Sequence, residues 1–280
     1  MNNHQSRHSA AVDAFRSLHT SGCFVLPNPW DPGTSVYLAH LGFKALATTS
    51  AGYAFSRGLP DQVSAVSRDA VLGHIREVVE ATSLPVNADF QNGYADEPEE
   101  VAKSVRLCTA TGVAGLSIED ATGKRNSPLY DQELAVERIR AARQAIDESG
   151  IPVVLTARCE AWLVQYPNPR RVALDRLVAF AQAGADCLYA PGVSTAEDIS
   201  AIVKAVAPKP VNVLVSGPGF TVAKLADLGV RRVSVGSSLS RVAWGAFIRA
   251  AESILNAGTF DSFADAASFA NLNEVFRKPE

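Results

Sequence analysis

The stretch LPVNADFQNGY, residues 84–94, sets the expected architecture because it has the pattern of a short buried strand that ends in polar groups and a loop. Alternate strand residues point to the same face, so Asn87 and Asp89 should project together. The stretch GLSIED, residues 115–120, repeats this arrangement one helix later and ends in Glu119 and Asp120. The two stretches predict parallel strands whose carboxyl ends carry the chemistry.

The whole chain alternates short apolar runs with helical segments. We expect strands at residues 23–26, 45–48, 85–88, 114–118, 151–158, 186–189, 211–214 and 232–235. Strands alternating with helices form parallel β-α units, and eight such units that close on themselves form a (β/α)8 barrel. An open doubly wound sheet is the alternative, but no GxGxxG follows the first strand and no P-loop pattern occurs.

The barrel is predicted to occupy residues 1–255 as one domain, since a chain of 280 residues with 47% hydrophobic residues can bury one large core. Residues 256–280 are predicted to be a helical tail. Its apolar positions Phe260, Phe263, Phe269 and Leu272 recur at helical spacing and suit burial against a partner. We expect this tail to pack on a neighbouring subunit, with exchange between subunits as one arrangement.

Composition restricts the partners of the protein. The net charge is −3 and no basic run occurs, which argues against binding of nucleic acid or an anionic membrane surface. No apolar stretch approaches the length of a membrane span, and the first residues lack the apolar segment of a signal peptide. We therefore expect a cytoplasmic protein whose partner is a small molecule.

The ends of the predicted strands offer a candidate metal site, because active sites of this fold lie at the C-terminal ends of the strands. Asp89 and Glu119 would supply carboxylate oxygens to a hard divalent cation, Mg2+ or Mn2+, and Asn87 and water would complete the shell. The alternative is that Asp89 caps the helix that begins near Asp96. All five histidines precede the third strand, so a Ser/His/Asp triad is not expected.

A set of short motifs resembles the isocitrate lyase/phosphoenolpyruvate mutase superfamily in order and spacing. The motifs are SAG at residues 50–52, GLPD at 58–61, NAD at 87–89, IED at 118–120 and ARCE at 157–160. The resemblance implies a Mg2+-dependent enzyme that makes or breaks a C–C or C–P bond of a 2-oxo or 2-hydroxy acid through a pyruvate-like enolate. It also implies a homo-oligomer, a dimer or tetramer.

The resemblance also implies roles for single residues. Asp89 and Glu119 match acidic positions of the metal site, and Asp61 matches the acid of the loop after the second strand. Arg158 matches the arginine that binds substrate. Ser50, Ala51 and Gly52 match the loop whose backbone N–H groups hold the carboxylate or enolate oxygen, and we expect residues 49–53 to form this loop of small residues.

An arginine can bond both oxygens of a carboxylate, and fixed positive charge stabilises a developing oxyanion. The alternative for Arg158 is a rim ion pair with Glu160 or Glu119.

Further residues are candidates for substrate binding. Trp30, near the end of the first strand, would line the substrate cavity, and Asn212 would reach the cavity from the seventh strand. The loop at residues 120–131 is the expected lid. Its residues Lys124, Arg125 and Asn126 would hold a distal carboxylate and exclude water on closing.

Two departures from the family pattern bear on the reaction. The first acid of the family's Asp-x-Asp is Asn87, a neutral ligand, and the lid contains no cysteine. We therefore expect no cleavage of isocitrate or 2-methylisocitrate. The expected activity is a Mg2+-dependent lyase-type cleavage, for example decarboxylation or hydrolysis of an oxaloacetate-like acid. Phosphonopyruvate mutase chemistry and a carboxylate-binding barrel without turnover are the alternatives.

Overall fold

The computed structural model describes residues 3–63 and 65–277, whose backbone forms a nearly closed barrel of eight parallel strands. The strands are β1 (Phe24–Leu26), β2 (Leu46–Ala47), β3 (Val86–Asp89), β4 (Gly115–Glu119), β5 (Val154–Arg158), β6 (Cys187–Tyr189), β7 (Val211–Leu214) and β8 (Arg232–Ser234). Met1, Asn2, Ser64 and the last three residues of the predicted tail lie outside the described residues. The predicted (β/α)8 fold is confirmed.

The strands are hydrogen-bonded in the order β1-β8-β7-β6-β5-β4-β3-β2. The seam between β1 and β2 is bridged by a backbone hydrogen bond, in which the Ala47 N–H donates to the Pro27 carbonyl at 3.0 Å. In a parallel barrel all strands end at the same rim, so the ends of β3, β4 and β5 bring Asp89, Glu119 and Arg158 together.

Helices follow the strands and cover the outside of the barrel. They are α1 (Asn3–Leu18), α2 (Pro32–His40), α3 (Ser50–Ser56), α4 (Arg68–Glu80), α5 (Pro98–Thr109), α6 (Gln132–Glu148), α7 (Pro169–Gln182), α8 (Ala196–Val206), α9 (Val222–Asp227), α10 (Ser238–Ala257) and α11 (Phe269–Phe276), with a 3-10 helix at Asp261–Asp265. Across the described residues, a helix with both the length and the apolar character needed to cross a membrane is not found.

The segment after β2 differs from its prediction. Residues 49–53 were expected to form a loop of small residues, but α3 begins at Ser50. Thr49 has extended backbone, and its hydroxyl accepts a hydrogen bond from the Gly52 N–H at 3.2 Å. This N-cap satisfies one of the donors at the helix start, so the short run of small residues becomes helical.

The bottom of the barrel is closed by α1, which packs Phe15 against the strands. Gly115 begins β4, and a Cβ there would lie 2.6 Å both from the Phe15 ring and from Oδ1 of Asn87. Such an approach is too close for any side chain. Gly115 therefore leaves the space that lets α1 seal the barrel beneath the cavity.

The C-terminal segment leaves the barrel surface. In α10, which spans 20 residues, only Ser240 is buried among the described residues. The tail then turns back, and α11 packs against α2 of the same chain. Packing of the tail on a neighbouring subunit stays a prediction.

Candidate active site

A small cavity of about 180 Å³ opens at the carboxyl ends of the strands. Its walls include the following polar residues: Asn28, Thr48, Thr49, Ser50, Asp61, Asn87, Asp89, Ser117, Arg158, Tyr189, Asn212, Arg232, Ser234 and Ser237. This size and lining suit a small polar ligand.

Arg158 at the end of β5 lies at the centre of the cluster at the cavity mouth. Its Nη1 lies 2.6 Å from Asp89 Oδ1, its Nη2 lies 3.1 Å from Glu119 Oε2, and its Nε lies 2.9 Å from Glu160 Oε1. The guanidinium also lies over the Tyr189 ring, with Cζ 5.0 Å from the ring centroid. Both rim ion pairs raised as the alternative interpretation of Arg158 are present.

These contacts leave part of the guanidinium free. A guanidinium carries five N–H donors, of which Nε donates to Glu160 and Nη1 donates to Asp89, while Nη2 forms an ion pair with Glu119. Arg158 therefore has two N–H groups left for a substrate oxygen while it holds its acidic neighbours in place.

Burial and charge set the ionisation of this cluster. Burial opposes the charge of Arg158, but Glu160, Glu119 and Asp89 raise its pKa above the usual range. Burial raises the pKa of Glu119 well above its usual range and also raises the pKa of Glu160, against the attraction of Arg158. One cation thus faces more carboxylates than it can neutralise.

Asp61 adds a further carboxylate to the same wall of the cavity. Burial raises its pKa, and the negative charge of Asp89 raises it further. Asp61 follows α3, in the loop before α4, and lines the same cavity as Arg158.

The donor set fits a divalent cation held by few protein ligands. A hard cation stabilises an excess of carboxylates in a poorly solvated site. Mg2+ commonly keeps several waters beside one or two carboxylates. Within residues 3–63 and 65–277, no three acidic, imidazole or thiol side chains are arranged to hold a metal ion by themselves. Two carboxylates with water and substrate would have to complete the shell.

Asn87 lies two residues below Asp89 on the same face of β3, deeper in the barrel. Its Nδ2 donates to the Ala88 carbonyl at 3.1 Å. Its Oδ1 is buried and has no hydrogen-bond partner among the described residues. An unpaired buried acceptor beside a cavity is a ready position for a bound donor or cation.

The start of α3 offers fewer free donors than a loop would. The Ser50 N–H donates to Asp89 Oδ2 at 2.9 Å, and the Gly52 N–H is held by Thr49. Asp89 is thus fixed by Ser50 and Arg158 and does not cap the helix near Asp96, so that alternative is wrong. Ala51 keeps its N–H without a partner in the described part of the chain and lines the cavity.

Asp120, next to Glu119, has a structural position. Its Oδ2 accepts from Arg176 Nη1 of α7 at 2.8 Å, and its Oδ1 accepts from the Glu160 N–H at 2.8 Å. Both charged side chains are buried. Asp120 therefore fixes the start of the segment that carries Glu160.

The lid candidates lie outside the cavity. Lys124, Arg125 and Asn126 are exposed, and the ammonium of Lys124 lies 3.4 Å from Asp96. The base of the lid is anchored by the buried Arg138, whose guanidinium lies 4.0 Å from the ring centroid of Tyr130. The lid tip is thus held away from the cavity while its base is fixed.

Trp30 also lies apart from the cavity walls. It lines an adjoining apolar groove together with Trp244 and Phe247 of α10. Asn212, in contrast, is in the cavity wall as expected.

Several residues of the cavity were not among the sequence candidates. Tyr189 at the end of β6 and Arg232 at the start of β8 both line it. Arg232 occurs in the run RRVSV, residues 231–235, where a charged residue at an inward position of a buried strand was the available signal.

Several known proteins are similar to this chain in sequence and architecture. The sequence model of the phosphoenolpyruvate phosphomutase family matches residues 15–255. A candidate lyase/mutase from Burkholderia cenocepacia J2315, known as a crystal structure, is 47% identical, with a TM-score of 0.94 and 98% of each chain covered. A 2-methylisocitrate lyase from Halalkalibacterium halodurans is 28% identical over 89% of this chain and 83% of the relative. An oxaloacetate decarboxylase from Pseudomonas fluorescens is 27% identical over 82% of this chain and 79% of the relative.

The Asp120–Arg176 pair generates a test of stability. Arg176→Met should lower the free energy of unfolding by about 3–5 kcal/mol, because it leaves a buried carboxylate without its cation. Urea denaturation measures this loss. Arg170→Met on the same helix removes an exposed partner of Glu197 and should change stability little. Equal losses in the two variants would contradict the structural role of Asp120.

Proposed function

The chain belongs to the isocitrate lyase/phosphoenolpyruvate mutase superfamily, and on that premise we propose that it is a Mg2+-dependent lyase-type enzyme. Its substrate is a small 2-oxo or 2-hydroxy carboxylic acid, and the reaction breaks a C–C bond. In hydrolysis this is the bond from the oxo-bearing carbon to the adjacent carbon, and in decarboxylation it is the bond from that adjacent carbon to the departing carboxylate. Decarboxylation or hydrolysis of an oxaloacetate-like acid is the reaction that we favour. The product first forms as an enolate.

One observation carries this proposal. Arg158 is surrounded by Asp89, Glu119 and Glu160 at the mouth of a cavity that has room for only a small molecule. A fixed guanidinium beside oxygen ligands for a cation is an arrangement that stabilises negative charge developing on a substrate oxygen. A cavity of this size suits a small substrate.

The metal would be held chiefly by Asp89 and Glu119, with Asp61 placed to bind through water and Asn87 Oδ1 below them. When bound, Mg2+ adds positive charge beside the oxygen on which negative charge accumulates. Mn2+, which also prefers oxygen ligands, could replace it.

Other groups of this protein bind and orient the substrate. Arg158 holds the reacting end of the substrate with its two free N–H groups, and its carboxylate partners keep its orientation fixed. The Ala51 N–H supplies a neutral donor from the opposite wall. No cysteine acid is present in the lid, so water delivers the final proton to carbon.

A carboxylate-binding barrel without turnover is the second candidate function. The neutral Asn87 favours it, because a site with one carboxylate fewer should bind Mg2+ more weakly. Phosphonopyruvate mutase chemistry would use the same cavity. Assays of 2-oxo acids, 2-hydroxy acids and phosphonopyruvate with Mg2+ or Mn2+ distinguish these functions, since a binding barrel forms no product with any of them.

We also infer that the protein is a homo-oligomer. Trp244, Ile248 and Leu255 are exposed at helical spacing on α10, and Phe260, Phe263 and Phe269 are exposed in the tail. Exposed apolar surface of this extent is typical of a protein interface. A second copy of the chain, docked on α10, is the proposed occupant.

The metal assignment is tested with Asp89→Asn. This variant keeps the size of the side chain and an oxygen for the Ser50 N–H, but it loses the negative charge, so Mg2+ affinity should fall at least about tenfold. Isothermal titration calorimetry measures the affinity. The matched control is Asp96→Asn, since Asp96 pairs with Lys124 of the lid. Unchanged Mg2+ affinity in Asp89→Asn would show that the metal binds elsewhere.

The role of Arg158 is tested by turnover. Arg158→Ala should lower kcat by about 100-fold or more on whichever acid of the panel is turned over, because it removes a charge that stabilises the transition state. Arg158→Lys retains a positive charge but lacks the planar fork, so its kcat should lie between that of the wild type and that of Arg158→Ala. Circular dichroism checks that each variant is folded. Wild-type turnover in folded Arg158→Ala would exclude the proposed site.

The proposed interface is tested by mass. Light scattering coupled to gel filtration should give a multiple of the 29.7 kDa chain mass for the wild type and a smaller mass for Ile248→Asp. Leu107→Asp is the matched control, because Leu107 of α5 is 45% exposed and Ile248 is 47% exposed. A monomeric wild type, or equal masses in the two variants, would contradict the interface on α10.

A further inference from the structure

A second guanidinium lies at the floor of the cavity. Arg232 begins β8 and is only 2% exposed, yet it lines the cavity from below. Its Nε donates to Asn212 Oδ1 at 2.8 Å and its Nη2 donates to Thr156 Oγ1 at 2.9 Å. Its Nη1 lies 3.4 Å from Nε2 of His19 in α1.

All of these partners are neutral acceptors. Among the carboxylates that the structure describes, none lies within 4 Å of Arg232. Burial and the charge of Arg232 together lower the pKa of His19 to about 3, so the imidazole is neutral at physiological pH. A buried cation without a counter-ion is costly, and buried charges in proteins are normally paired. The missing counter-ion is therefore expected to come from a ligand.

The two ends of the cavity thus differ in charge. At the mouth, Asp61, Asp89, Glu119 and Glu160 surround the single cation of Arg158. At the floor, Arg232 has no acidic neighbour. An anionic group that lies beyond the reach of Arg158 and the metal is therefore attracted to the floor. The cations of the lid do not compete, because Lys124 and Arg125 are exposed.

We propose that Arg232 binds the distal carboxylate of a small dicarboxylic acid at the floor of the barrel. This inference rests on the proposed function, which takes the substrate to be a small oxaloacetate-like acid, and adds the residue that binds its second carboxylate. The reacting end then faces Arg158 and the acidic cluster. Arg232 is in this view the residue that selects dicarboxylates over monocarboxylates.

The neighbours of Arg232 complete an anion site. Arginine can only donate, so Oδ1 of Asn212 must face it, and Nδ2 of Asn212 then donates to Ser234 Oγ at 2.9 Å. Ser234 and Tyr189 both bring hydroxyl groups to the cavity. Three of the five guanidinium N–H groups are engaged, which leaves two for a carboxylate.

The experiment compares binding of malonate and pyruvate, each measured by isothermal titration calorimetry with Mg2+ present. The wild type should bind malonate more tightly than pyruvate. In Arg232→Met the affinity for malonate should fall by about tenfold to a hundredfold, the range for loss of a charge-assisted hydrogen bond, and the affinity for pyruvate should change little. A malonate-to-pyruvate ratio equal to that of the wild type in folded Arg232→Met would overturn the proposal.

Thr156→Val is the matched control. It removes one hydrogen-bond partner of Arg232 but keeps the charge, so stability should fall while the malonate-to-pyruvate ratio is kept. If that ratio is lost in Thr156→Val as well, with the variant folded, the selectivity does not come from the charge and the proposal fails.

A crystal structure of the wild type with malonate tests whether Arg232 binds a carboxylate, even if Arg232→Met does not fold. A carboxylate within hydrogen-bond distance of the Arg232 guanidinium supports the proposal, and malonate bound only at Arg158 or the lid overturns it. Both measurements are independent of turnover. If the protein shows no activity but prefers dicarboxylates in a way that depends on Arg232, the proposed reaction is contradicted and the binding role of Arg232 is still supported.

Discussion

The ion cluster around Arg158 is the interaction on which the upper half of the barrel depends. The guanidinium joins the ends of β3, β4 and β5 through Asp89, Glu119 and Glu160. These carboxylates would repel one another without it, since they share a poorly solvated space. The same cluster retains an excess of negative charge. It can therefore stabilise the rim and still attract a divalent cation.

The lower half of the barrel has polar side chains in its interior. Barrel interiors of this type are usually filled by layers of branched apolar side chains, whereas Asn87, Ser117, Thr156, Asn212 and Arg232 occupy inward positions here. Arg232 donates to Asn212 and Thr156, and Asn87 and Ser117 donate to the Ala88 carbonyl. These hydrogen bonds offset much of the cost of burial, with Asn87 Oδ1 left unpaired in the part of the chain that is described. A polar interior of this kind keeps the cavity suited to a charged ligand down to its floor.

Sequence reasoning located most of the strands because their apolar runs are short and each is followed by a clear turn signal. It also brought Asp89, Glu119 and Arg158 to one rim, because that placement follows from barrel geometry alone. It could not place side chains that depend on tertiary packing. The exposure of Lys124 and the position of Trp30 beside α10 follow from how loops and helices pack. The helix at Ser50 was missed because one hydroxyl, that of Thr49, decides between loop and helix.

The division of the lid into an anchored base and an exposed tip has an evolutionary consequence. Arg138, stacked on Tyr130 and bonded to the carbonyls of Asn92, Ala95 and Asp96, fixes the base independently of the tip. Substitutions at Lys124, Arg125 and Asn126 therefore carry little penalty in folding. Gene duplicates could diversify this short exposed segment while the barrel stays unchanged, which makes the lid tip the least constrained place for new reactions to arise in this scaffold.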